Sequence, residues 1–179
     1  MVVVLKLGGS VITRKQEPET IDDSALQACA RTIARWDGPL LLIHGAGSFG
    51  HYHAERFGVT VSSATRDPTE VFTIHDSMRR LNDAVVTTLH ETGVPAVPVH
   101  PLSVAYRSYD DTFSIPTEPI DTILAEGFVP VLFGDLIVHG GEGFAVVSGD
   151  ELAVALTKSL EASRVGMCSS VPGVIDDDG

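Results

Sequence analysis

A chain of 179 residues with 44% hydrophobic content is long enough for one ordinary core, and its 17 glycines and 10 prolines punctuate it without making it low-complexity. Acidic residues outnumber basic ones 24 to 12, so the field is negative and argues against nonspecific nucleic-acid binding. The apolar run at residues 2–5 is cut by Lys6 and is far too short for a signal peptide or a membrane span, so a single cytoplasmic domain over residues 1–179 is expected. Only three lysines occur, Lys6, Lys15 and Lys158, against nine arginines. Acid-rich, lysine-poor surfaces stay hydrated in strong salt, which leaves open a halophilic setting or simply a soluble acidic protein. Cys29, at helical spacing with Leu26 and Ile33, and Cys168, in a predicted strand, read as packed thiols rather than a disulfide or metal pair.

In chain order, residues 2–5 read as a buried strand that runs through Lys6 into Gly8-Gly9-Ser10. Residues 11–20 are polar and include Lys15 and Pro18, the pattern of a mobile segment. Asp22 and Asp23 are placed to cap a helix with Leu26, Cys29, Ala30 and Ile33 on its apolar stripe, ending near Gly38-Pro39. A second strand, residues 40–43, runs into His44-Gly45-Ala46-Gly47-Ser48-Phe49-Gly50-His51. The resulting βαβ unit puts both glycine loops at the carboxyl edge of a parallel sheet, where open α/β sheets bind ligands.

A helix over residues 48–57 begins inside the second loop, with its N-terminal amides facing any bound anion. After a polar connection the spacing predicts a long helix over Pro68–Glu91, with Val71, Ile74, Met78, Leu81, Val85 and Leu89 inward and Arg79 and Arg80 toward solvent. Residues 96–99 form a short strand, and residues 103–113 read as irregular. Glu118-Pro119 opens a helix that runs to Gly127, with proline in the first turn where its missing donor costs least. Residues 129–133 are a third apolar strand ending at Gly134-Asp135, where Asp135 reads as either ligand-facing or a turn former. Residues 136–138 and 144–147 suggest a hairpin. Ser148-Gly149-Asp150 then opens a helix with Leu152, Leu156 and Leu160 inward, residues 164–168 are the last strand, and residues 172–175 make a turn. The fold class expected is α/β, a mostly parallel open sheet sandwiched by helices. With the sequence reaching Gly179 directly after that strand and turn, a truncated C-terminal nucleotide lobe is expected.

No GxxxxGK[ST] or GxGxxG occurs, so neither the P-loop nor the dinucleotide fingerprint applies. The pattern is instead a strand, Lys6 and a pair of glycines, matched by HGAGSFGH at the end of a second strand. Without Cβ atoms, backbone N–H groups in such loops approach an anion closely, and two of them at neighbouring strand ends make one phosphate cradle. Asp150 reads as a functional carboxylate or as a plain helix cap, and Phe57, Val71, Ile74 and Met78 as the walls of an apolar slot or as ordinary core.

VLKLGGSVITRK, LLIHGAGSFGH, VPVLFGDLIV and VVSGDELAVAL resemble, in kind and order, the motifs of the amino acid kinase family, and within it the isopentenyl phosphate kinases of archaeal type. The resemblance implies an ATP- and Mg²⁺-dependent transfer of the γ-phosphoryl group to isopentenyl phosphate in isoprenoid biosynthesis, by a homodimer. Fosfomycin-type or other small-phosphate kinases, and a noncatalytic anion-binding member of the fold, are the alternatives. On this resemblance Lys6, Lys15 and His51 are catalytic. Lys6, Gly8, Gly9, Ser10, Gly47, Asp150 and Ser170 face ATP, while Gly45, Ala46, His51 and Gly149 face the acceptor, and Asp150 is the candidate metal ligand. Ser169-Ser170 stands where the family commonly has Thr-Asp.

Overall fold

A computed structural model describes residues 1–170. The turn expected at residues 172–175 and the terminal aspartate run lie outside the described residues. The chain forms β1 (Val3–Leu7), α1 (Gly9–Ile12), α2 (Asp23–Ile33), β2 (Leu40–His44), α3 (Gly47–Phe57), α4 (Pro68–Glu91) and β3 (Ala96–Pro98). It continues as α5 (Pro101–Val104), β4 (Tyr106–Arg107), β5 (Phe113–Ser114), α6 (Glu118–Ala125), β6 (Val129–Phe133), β7 (Asp135–His139), β8 (Gly143–Val147), α7 (Gly149–Ser159) and β9 (Arg164–Cys168).

The main sheet has the order β3-β6-β2-β1-β9, and all its pairings are parallel. A smaller sheet, β5-β4-β7-β8, joins the β7–β8 hairpin to two short strands. Alternation along the strands divides the core. Leu7, Leu40, Leu42, Val131 and Phe133 pack toward α2 and α4, whereas Val4, Leu41, Ile43 and Leu132 pack toward α6 and α7. A third cluster, Ala54, Val59, Ile74 and Leu136, joins α3 and α4 to β7.

Local chemistry explains the element boundaries. The Asp22 carboxylate accepts from the Ala25 N–H and starts α2, Asp67 accepts from Thr69 and Glu70 ahead of Pro68 and starts α4, and Ser148 accepts from Glu151 and starts α7. Asp150 is therefore not the cap of its helix.

Three local expectations are corrected, and one is qualified. Residues 103–113 are not irregular: α5 and β4 form there because β4 finds a partner in β7, pairing Tyr106 with Val138 and Arg107 with His139. Residues 11–20 are not a free segment, since Gly9–Ile12 is helical and Thr13 bridges Ile21 across the base of the loop that follows. Arg79 and Arg80 are exposed, as expected, and both are paired, Arg79 with Asp76 and Asp83, and Arg80 with Asp76 and Glu19. Cys168 is exposed rather than packed, because β9 is the edge strand of the main sheet, while Cys29 does pack against the α2 side of the core.

Candidate functional site

β1, β2 and β6 end in register at Leu7, His44 and Phe133, and each is followed by a glycine. The main chain is drawn together there. The Gly8 N–H donates to the Cys168 carbonyl at 2.8 Å, Gly45 to Leu7 at 2.9 Å and Gly134 to His44 at 3.0 Å. The two glycine loops then meet backbone against backbone: a Cβ built on Gly9 would stand 2.1 Å from the Gly47 nitrogen, and one on Gly45 would stand 2.6 Å from the Gly9 nitrogen. Gly47 also has φ +51°, which a side chain would make costly. Thr13 locks the pair, its hydroxyl donating to the Gly9 carbonyl at 2.8 Å and accepting from the Ser48 N–H at 3.0 Å. The first turn of α3 thus faces the first loop, its Ser48 amide held by Thr13 and those of Phe49 and Gly50 by the Ala46 carbonyl at 3.2 Å.

Around this junction lies a cavity of about 550 Å³. Lys6, Lys15, His51, Gly8, Gly9, Ser10, Gly45, Ala46, Gly47, Gly149 and Asp150 all line it, so the structure brings these sequence-predicted residues to one space. Ser170 is not on the lining; its hydroxyl lies 2.9 Å from that of Ser10, a lining residue, and Ser169 is on the wall. The Lys6 ammonium contacts both Asp150 oxygens, at 2.9 and 3.0 Å, with the lysine side chain 14% and the aspartate 62% exposed. Of the four apolar candidates, Ile74 and Met78 line the cavity, joined by Val146 and Val147, while Phe57 and Val71 pack on the third core cluster instead. The cavity is therefore charged and amide-lined toward the strand ends and apolar toward α4.

Three buried or half-buried histidines, none of them on its lining, pack in the surrounding elements. His44 is fully buried between Phe133, on which it stacks at 5.4 Å, the Gly45 carbonyl and the Asn82 side chain. Burial pushes its pKa down to about 4, so the ring is neutral and structural. His53 donates from Nε2 to Glu19 at 3.0 Å. His75 was not singled out from the sequence: its Nδ1 donates at 2.8 Å to Asp135, which is buried and lines the cavity. The hydrogen bond to Asp135 holds the His75 pKa up, and desolvation pushes the carboxyl of Asp135 up as well, so burial opposes the pair while the contact favours it. A signal for His75 was available. Positions 71, 74, 75 and 78 follow the i, i+3, i+4, i+7 pattern of an inward face, so a histidine at 75 needs a buried partner.

Among the described residues no group of three or more His, Cys, Asp or Glu could hold a metal ion, and no helix is long and apolar enough to cross a membrane.

The all-parallel main sheet, whose neighbouring strands β1 and β2 end in glycine loops in mutual backbone contact with a lysine on one strand, is an open α/β sheet with a ligand-binding carboxyl edge that is built on neither the P-loop nor the dinucleotide-binding pattern. The chain belongs to the amino acid kinase family, whose model matches residues 1–179. It is 53% identical over 179 residues to the isopentenyl phosphate kinase of Haloferax volcanii, covering 99% of this chain and 72% of that protein. It is 29% identical over 195 residues to the isopentenyl phosphate kinase of Methanocaldococcus jannaschii, again covering 99% of this chain and 72% of the other. Among solved structures, an isopentenyl phosphate kinase superposes with a TM-score of 0.89 at 32% identity, covering 97% of this chain and 75% of that one.

Proposed function

We propose that this chain transfers the γ-phosphoryl group of ATP to isopentenyl phosphate, giving isopentenyl diphosphate and ADP. The observation that carries the reading is the two-ended cavity: the phosphate ends of both substrates need amides and cations, and a five-carbon tail needs the apolar wall of Ile74, Met78, Val146 and Val147. The 53% identity to an isopentenyl phosphate kinase, rather than to a kinase of carboxylates, supports the choice of acceptor.

An oxygen of the acceptor phosphate attacks the γ-phosphorus, and the bond from that phosphorus to the β,γ-bridging oxygen breaks, leaving ADP. Two polyanions must be held in line, so the protein's contribution is positioning and charge compensation. In this reading Gly8, Gly9, Ser10 and Gly47 present amides to ATP, Ser170 stands on the nucleotide side, and Gly45, Ala46 and Gly149 serve the acceptor phosphate. Lys6 compensates the transferring group, and Asp150, whose two oxygens both contact it, either aims it or turns to a metal ion. His51, one turn into α3, donates to the acceptor phosphate, and Lys15 closes over both. Magnesium keeps several waters and takes one or two protein carboxylates beside substrate phosphates, and the exposed Asp150 at the cavity fits that part. Bound there with ATP, the ion would spread the charge of the β- and γ-phosphates. A cytoplasmic homodimer is part of the proposal, formed through α4, which carries Phe72 with 69% of its surface exposed.

The test is radiolabelled ATP with Mg²⁺ and isopentenyl phosphate, fosfomycin, N-acetylglutamate or uridine monophosphate. Label is expected on isopentenyl phosphate, and Lys6→Ala and His51→Ala should each lower transfer by about 100-fold or more with folding intact. Label on only one of the other three acceptors refutes the assignment.

A further inference from the structure

The loop between α1 and α2 carries Lys15, and its far side is fastened in an unusual way. Glu19 sits at φ +50°, a region that a non-glycine residue occupies only when its surroundings over-determine it. Those surroundings are specific. The Glu19 N–H donates to the Ser48 carbonyl at 3.0 Å, and the next residue exchanges with the Ser48 side chain, Thr20 N–H to Oγ and Oγ to the Thr20 carbonyl, both at 3.3 Å. The Glu19 carboxylate reaches across to two helices, accepting from His53 Nε2 on α3 and from the Arg80 guanidinium on α4, which Asp76 holds from the other side. At the near end the loop closes through the Thr13–Ile21 bridge and the Arg14 N–H bond to Thr20. Between these fastenings Lys15, Gln16 and Pro18 lie on the cavity wall that His51 and Tyr52 also line.

We propose that Glu19 is a positioning residue, a latch that fixes the Lys15 loop onto α3 and α4 so that the lysine stays over the cavity. The helix it grips is the one whose first turn forms the second glycine loop, so one carboxylate sets the spacing between the lysine loop and the phosphate helix. This extends the Lys15 role assigned under the proposed function and rests on it. The latch itself is a matter of structure and can be decided separately.

The experiment compares wild type, Glu19→Ala, Glu19→Gln and, as a control, Asp83→Asn, which removes an Arg79 pair elsewhere on α4. Amide hydrogen exchange reads the latch. Glu19→Ala should remove protection at Arg14, Glu17 and Glu19, whose N–H groups are bonded within the loop or to Ser48, and leave Leu81 and Val85 of α4 unchanged. Transfer kinetics read the positioning. Misplacing a catalytic group by about 1 Å costs on the order of 100-fold, so Glu19→Ala should lower kcat by about 10- to 100-fold with KM for isopentenyl phosphate within about threefold. Glu19→Gln, which keeps an acceptor oxygen, should recover part of the loss, and Asp83→Asn should match wild type. Unchanged loop protection, or an unchanged kcat in Glu19→Ala, overturns the proposal. Should Glu19→Ala lose protection throughout, Arg80→Gln removes the guanidinium arm alone and must show the loop-limited loss. A wild-type chain that labels no acceptor refutes the functional reading and leaves the exchange data to decide the latch.

Discussion

His44 shows how a single side chain can be essential to the site without touching a ligand. It ends β2, directly before Gly45, and is sealed between Phe133 and Asn82. Its folded pKa, about 4, lies below the ordinary 6.5, so the neutral ring favours the fold. That contribution is complete above pH 6.5 and fades as the pH falls toward 4, where the unfolded chain takes up the proton first. It amounts to about 3 kcal/mol, and urea unfolding above pH 6.5 and again near pH 4 should show a drop that His44→Gln largely removes. Glu19 acts in a lower window. Although burial pushes its carboxyl up, hydrogen bonds from Arg80 and His53 bring it to about 2, so its stabilisation is present above 4.5 and lost as the pH falls through about 2. Lys6 and the glycines announced themselves because their chemistry is rare at strand ends, and His51 because it closes the second glycine motif one turn into α3. Partners such as His75–Asp135 and Glu19–Arg80 did not, because each joins positions about sixty residues apart that only the fold brings together.

At the scale of elements, the junction of the two glycine loops makes the sharpest prediction. Gly9→Ala places a methyl group where the Gly47 backbone already is, and neither neighbour is a flexible side chain that could move aside. Overpacking of this kind costs about 1–3 kcal/mol, so a lowered urea midpoint should accompany loss of phosphoryl transfer. Transfer at the wild-type rate by Gly9→Ala would show that the loops do not act together. The longer elements could be read from the sequence since period and punctuation agree, as in α4, where Asp67-Pro68 starts a sustained inward stripe. α1, α5, β4 and β5 were not, because runs of two to four residues carry no period and owe their conformation to what they pack against.

For the molecule as a whole, the excess of acid is the dominant field, a formal charge of −12 on 179 residues. Exposed carboxylates repel one another, and salt shortens the reach of that repulsion from about 10 Å at 0.1 M to about 3 Å at 1 M. Thermal unfolding in rising KCl should therefore shift upward, by about 2–4 °C for each kcal/mol of repulsion relieved in a chain of this size. A midpoint that stays flat or falls would remove self-repulsion as a cost of this composition and favour the plain soluble acidic protein over the halophilic setting.

The contact between Gly9 and Gly47 also limits what variation can achieve. Under the proposed reaction, the gap across which phosphorus must travel is set by main chain pressed on main chain, with no slack for either bend to retreat. Side chains at the rim can then change how fast a phosphoryl group crosses, and those at the greasy end can change which tail is admitted. Neither can change how far apart the two molecules stand, so descendants of this scaffold should differ in partner and pace while keeping one fixed stride.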